Sequence, residues 1–342
     1  MQNQNIQKIN YKGKVMNVAV SPKSAVAQKY KNVIEKFHIQ PSALAPGFGP
    51  TPFNDLVFSG GKTIPNLSFA NFYIGNWKQS DIASIDWAIS AAMSDPNLNN
   101  VIQQYFKENI TNTFKGSSIL DQIHPTTFSK SDVEKLVLEL YKQRKFDSYD
   151  LGNTIFNFVL PRGTILSDSD GSQESTKTIN TNATSNQINN QGFTPVEEEA
   201  SDSLHGLGGY HGSVIIEGGS NEPNKIYYSV DVYSEVLPNG SENGIAVFDE
   251  SWKNIVATLY HEITEFKTDP DVEEGNKLGD SRLFGWVSNE GEIGDIPIDE
   301  ARPITKVFKE VPLTNDSRRV PIQLMYSNWV HGPEGPIPTP HN

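Results

Sequence analysis

Apolar residues recur at i, i+3, i+4 and i+7 spacing through Trp252, Ile255, Val256, Leu259, Tyr260, Ile263 and Phe266. The pattern predicts an amphipathic helix from about Ser251 to Lys267. Asp249 or Ser251 is placed to cap its start. Pro270 stops it, because Asp269 before a proline is pushed out of the α region. Strands are predicted at Leu56–Phe58 and Leu67–Ile74 with Gly60-Gly61 turning between them, and at Thr154–Leu160, Val214–Glu217, Ile226–Val232, Ile245–Phe248 and Val320–Met325. Further helices are expected at Ser24–His38, Ser80–Met93, Asn99–Asn109 and Ser131–Lys145, the last opened by a capping box Ser131-Asp132-Val133-Glu134. Strands alternating with helices point to an α+β or α/β fold, a mixed sheet with packed helices and a zincin-like central helix.

Residues 1–50 read as an N-terminal extension with at most one short strand. Residues 51–330 read as a single α/β domain, and 331–342 as a Pro-rich tail. Within the domain, 167–203 is dominated by Ser, Asn, Thr, Gln and acids, with almost nothing to bury, so it reads as a mobile insertion. Beyond Asp295 the chain reads mostly as loop. Gly61-Lys62-Thr63 lacks the earlier glycine of a phosphate-binding loop, since position 56 is Leu, and reads as a turn.

Composition narrows the chemistry. The 342 residues carry a net charge of −13 without any cluster of Lys and Arg, which disfavours nucleic acid as a partner. Hydrophobic residues make up 36%, and no apolar run approaches the roughly 20 residues that span a bilayer, so a soluble chain without a membrane span is expected. No signal-peptide h-region is visible at the start. There is no cysteine, so His, Asp and Glu are the available metal ligands.

On the predicted central helix, His261 and Glu265 fall together opposite the apolar stripe, with Glu262 at the flank. One reading is a solvated polar face. The other is a helix packed on one side and lining a cleft with the other, so that His261 and Glu265, one turn apart, hold one metal ion. Glu262 then stands where a general base for water on that ion is needed. A catalytic zinc takes three protein ligands and an open position. Glu292 and Asp295 are the candidates for the third, with Glu290 as a substitute. His205 and His211 lie in a glycine-rich stretch read as a turn, from which His211 could supply a ligand or steady an oxyanion. His38, His124, His331 and His341 read as surface or helix-end residues, and Glu197-Glu198-Glu199 as a solvated run. Trp252, Trp286 and Trp329 read as core, with Trp286 also open to a carbohydrate role.

The order Tyr73-Ile74-Gly75-Asn76-Trp77, Gly209-Tyr210-His211-Gly212-Ser213, Thr268-Asp269-Pro270, Gly285-Trp286, Glu292-Ile293-Gly294-Asp295 and Val320-Pro321-Ile322-Gln323-Leu324 extends over most of the chain. It resembles the phosphate-induced, EXORDIUM-like family of plant secreted proteins and its bacterial and fungal relatives. The microbial relatives are similar in having His-Glu-x-x-Glu followed by Thr-Asp-Pro. The resemblance implies that His261, Glu265, Glu292 and Asp295 are grouped. It also implies an extracellular or cell-envelope location and a peptide, cell-surface or cell-wall ligand. The plant family is associated with growth and cell-wall signalling without a defined reaction. The chain departs from the family in its missing cysteines and in the 167–203 insertion.

Two functions follow as expectations. In the first, a zinc-dependent, metallopeptidase-like hydrolase, the ion polarises a peptide or related carbonyl, Glu262 acts as base and His211 assists. In the second, a non-catalytic secreted binding or signalling protein, the same acids hold a structural ion such as calcium or form a hydrogen-bonded cluster.

Overall fold

Five strands form the central sheet: β1 (Asn66–Ile74), β2 (Thr111–Leu120), β3 (Thr154–Val159), β4 (Gly209–Ile216) and β5 (Asn224–Asp231), in the order β2-β1-β3-β5-β4. The first four run parallel and the edge strand β4 runs antiparallel to β5. Every residue of β3 is buried, as expected of a central parallel strand covered on both faces. The computed structural model describes residues 43–168, 202–216 and 224–338, together with the backbone of a hairpin at Ile6–Tyr11 and Lys14–Ala19. The helix expected at 24–38 and most of the 167–203 insertion lie outside the described residues.

Helices α1 (Gln79–Ser94), α2 (Pro96–Ile102), α3 (Lys130–Lys142) and α4 (Ser251–Thr268) cover the sheet. One face buries Phe69, Ile155 and Tyr227 against Ile85 and Ile89 of α1 and Ile255, Leu259 and Ile263 of α4. The other buries Phe72, Phe156 and Phe158 against Val133, Val137 and Leu140 of α3. The fold is therefore α+β with a mixed sheet. Among the described residues, no helix is long and apolar enough to cross a membrane.

A polar row crosses the α4 face of the sheet. Ser117, Asn71, Asn157, Ser229 and His211, one from each strand, stand in register. Asp86 of α1 accepts from Asn71 Nδ2 (2.8 Å) and Ser117 Oγ (2.6 Å), Asn71 Oδ1 from Asn157 Nδ2 (2.9 Å), and Asn157 Oδ1 from Ser229 Oγ (3.0 Å). The Asp86 end accepts, so each amide orientation in the chain is determined in turn. Ser229 Oγ also lies 2.8 Å from Asp231 Oδ2. The Ser229 hydroxyl is thus shared between Asn157 and Asp231 as acceptors; burial pushes the Asp231 carboxyl well above the usual range, against the hydrogen bond from Ser229.

Helix α4 is buried on every side from Asn254 to Thr268, because α1, the sheet and a C-terminal hairpin of β6 (Phe308–Leu313) and β7 (Asp316–Gln323) surround it. A solvated polar face is thereby excluded. Its far end is tied down by Lys267, whose Nζ donates to Pro65 O (2.8 Å), Thr111 O (3.2 Å) and Asn112 Oδ1 (3.0 Å) at the starts of β1 and β2.

Several sequence expectations are corrected. Ile245–Phe248 is not a strand: the N–H groups of Val247 and Phe248 donate to Asn254 Oδ1, so that side chain takes the place of a partner strand. The residue before α4 is Glu250, without a side-chain cap. The cap of α3 is Ser129, with Asp132 closing the box, two residues earlier than expected. The predicted helix at 99–109 begins at Pro96 and gives way to the unforeseen strand β2. His211 sits on strand β4 rather than in a turn, and the region beyond Asp295 contains a short helix and the β6–β7 hairpin.

The polar row predicts a measurable cost. Asn157→Leu keeps the side-chain shape but strands Asn71 Oδ1 and leaves the Ser229 hydroxyl with Asp231 alone, so unfolding in urea should lose about 1–3 kcal/mol, the cost of one stranded group. A loss below about 0.5 kcal/mol, the level of an ordinary surface change, would refute the row as a source of stability.

Candidate metal centre

Helical geometry brings His261 and Glu265 together, with Nε2 of the first 3.0 Å from Oε2 of the second. Asp295 opens α5 (Asp295–Glu300) and brings Oδ1 to 3.7 Å from the same Nε2. The three side chains can offer donor atoms to one ion. His261 Nδ1 lies 2.8 Å from Gln323 Oε1 on β7, and Gln323 Nε2 donates to Gly294 O. The carbonyl can only accept, which fixes the glutamine amide and therefore the proton on Nδ1. Nε2 is the nitrogen left for the ion, the arrangement by which an outer partner orients a ligating histidine. Gly294 N donates to Glu265 Oε1 (3.1 Å), and a Cβ at this position would fall 2.5 Å from His261 Nδ1. Only glycine permits that approach.

Glu262 faces the edge strand. Its Oε2 lies 3.2 Å from His211 Nδ1, and Glu265 Oε2 lies 3.9 Å from the same atom, making a second group able to hold an ion. His211 Nε2 reaches Asp269 O at 3.3 Å and so carries a proton, while Nδ1 faces a carboxylate. Burial alone would lower the His211 pKa, but the hydrogen bond and charge of Glu262 raise it to about 9. His261 is raised too: burial opposes its charge, while Glu265, Glu262 and Asp295 favour it. Burial acts against ionised Glu265, but its bond to His261 holds it below the usual carboxylate range.

The remaining acids are short of partners. Glu292 places Oε1 3.9 Å from His211 Nε2, away from the His261 group, and that oxygen and Asp269 Oδ2 have no hydrogen-bond partner. Burial first, then the charge of Glu265, raises Glu292 well above the usual carboxylate range and Asp295 to about 7. Burial also raises Asp269 to about 7. Among the described residues no lysine or arginine pairs with these acids.

The structure thus joins His261, Glu265 and Asp295, sets Glu262 with His211 beside them, and places Glu292 on the His211 side. Glu290 faces solvent, His205 pairs with Asp202, and His331 pairs with Asp55. The roles of Gln323 and Gly294, present only within motifs, escaped the sequence reading, and Asp231 escaped it altogether. Gln323 is the one polar residue of the run Val320–Met325 and Asp231 the one charged residue of the run Ile226–Val232, which is the signal that could have exposed them. A cleft of about 210 Å³ opens onto His261, Glu262 and Asp295.

Two predictions follow from this geometry. Gln323→Met should weaken zinc binding about 10–100-fold in chelator competition, the usual cost of losing an outer-shell partner, with circular dichroism unchanged; unaltered affinity would refute the orienting role. The second concerns pH. The raised carboxyls Asp295 and Asp269 stabilise the metal-free fold fully below the unfolded carboxylate range, and that contribution is lost as pH rises through about 7. The raised histidines act in the same direction, through about 9 for His211, while Glu265 acts in the opposite direction at low pH. The Tm in EDTA should therefore fall from pH 5 to pH 8, and zinc should restore more at the higher pH; a flat or rising Tm would contradict it. Compared with protein-family models, curated proteins and solved structures, the chain matches none, so geometry alone carries the functional argument.

Proposed function

We propose that this chain is a zinc-dependent hydrolase of the metallopeptidase type, acting on a peptide or related carbonyl compound. The observation that carries the reading is the convergence of His261 Nε2, Glu265 Oε2 and Asp295 Oδ1, with His261 held from behind by Gln323. One imidazole nitrogen and two carboxylate oxygens are a donor set that suits zinc, and His261, Glu265 and Asp295 would hold it. When bound, zinc supplies a Lewis acid for the carbonyl and makes water more acidic. Two carboxylate ligands weaken that acidity relative to a histidine-rich site.

Glu262 borders the cleft while its other side meets His211. As general base, Glu262 takes the proton of the attacking water and returns it to the leaving nitrogen. His211 does not line the cleft, so we assign it to holding Glu262 rather than to touching substrate. We keep the EXORDIUM-like resemblance as the context of this reading, with an extracellular or cell-envelope setting and peptide or cell-wall material as the source of substrate.

The competing reading, a non-catalytic protein with a structural ion such as calcium, draws support from the excess of carboxylates over imidazoles, although calcium takes oxygen ligands and a nitrogen stands at this centre. Metal content of protein purified without a His tag tests both. About one zinc per chain is expected, lost in the His261→Ala, Glu265→Ala double variant. Glu262→Gln should cut hydrolysis by about 10²–10⁴-fold with zinc content and Tm unchanged. No transition metal even after zinc is supplied would refute the proposal.

A further inference from the structure

The cleft beside the cluster has two chemically different sides. One is formed by His261, Glu262 and Asp295, and the other by Ile245, Ile298, Ile304 and Phe308. The three isoleucines are only half buried, so branched aliphatic surface faces open space immediately beside the charged groups. Pockets that bind organic groups have this character, an apolar lining with a few convergent polar atoms.

Size and charge narrow the occupant. At about 210 Å³ the cleft falls below the roughly 300 Å³ at which pockets for whole small molecules begin. It exceeds the cavity of about 150 Å³ that takes up benzene. That volume suits a single side chain. Apart from the cluster itself, no titratable residue lines it among the described residues. On the isoleucine side a lysine or arginine meets no acceptor, and Glu262 and Asp295 across the cleft are the groups assigned to the base and the ion; an acidic side chain would add negative charge to a cluster already in excess. A Cβ on Gly208 would lie 2.9 Å from Ile245 Cδ1, so the backbone there packs directly on the apolar wall.

We infer that this cleft seats one apolar side chain of the substrate, a branched aliphatic or phenyl group on a residue flanking the scissile bond. The inference rests on the hydrolase reading and names its substrate class.

The test is cleavage of a mixed peptide library by the zinc-loaded full chain, with the cut sites read by mass spectrometry. Leu, Ile, Met or Phe should occupy one side of the cut. Peptides with Gly, Asp or Lys there should lose about 100-fold or more in kcat/KM, since one methylene in an apolar pocket is worth about 10-fold or more. Ile304→Ala should keep its zinc and move the preference towards Trp. Cleavage indifferent to both flanking residues would overturn the pocket and leave the hydrolase standing; cleavage of no peptide would overturn both. A readout without catalysis accompanies it. In metal-free protein, the δ1-methyl signals of Ile245, Ile298 and Ile304 should shift with N-acetyl-phenylalaninamide and not with N-acetyl-lysinamide. Unmoved methyls, or equal shifts with both probes, would overturn the inference.

Discussion

Burial of carboxylates around one helix is the constraint on which this structure depends. Glu262, Glu265, Asp269, Asp231 and Glu292 are nearly inaccessible, and among the described residues the ion-pair partners beside them are two imidazoles, His211 and His261. An ionised carboxylate without a partner is among the most unfavourable groups to place in a protein interior. Two remedies exist, a proton or a cation, and they compete for the same oxygens. The partnerless oxygens of Glu292 and Asp269 mark where the competition is unresolved by the protein's own side chains. Occupancy of the site and protonation of its surroundings are consequently one equilibrium seen from two sides.

The sheet shows the opposite solution to the same problem. Asn71, Asn157 and Ser229 are fully buried, yet each donor in the row meets an acceptor. Register links the two regions. The pairing that sets Ser229 against Asn157 on one side sets it against His211 on the other, and so fixes the height at which His211 meets Glu262. A slip of one residue in any strand would turn its member of the row to the α3 face and break the chain of bonds. The neutral chain thereby acts as a gauge for the charged one.

Legibility in the sequence followed the range of the interactions. His261 and Glu265 were readable because one helical turn is local geometry, and the mixed sheet was readable from alternating patterns. The choice between Glu292 and Asp295 was not, because the path of the intervening loop decides it. Strand β2 was missed because Thr111–Leu120 is an edge strand of mostly polar residue types, so its alternating burial leaves no apolar periodicity in the sequence. The run Ile245–Phe248 misled for the reverse reason, being apolar yet bonded to a side chain of the next helix. Gln323 acquires its meaning only through a bond to His261, 62 residues away.

That bond also gives the site an order of assembly. His261, Glu265 and Asp295 all precede β7, whereas the acceptor for His261 Nδ1 arrives on the strand's last residue. A chain ending before Val320 would contain every proposed ligand and the proposed base, but the imidazole would be free to turn. The hairpin is therefore the last component of the centre to be synthesised, and a growing polypeptide cannot fix the imidazole until Gln323 has been made.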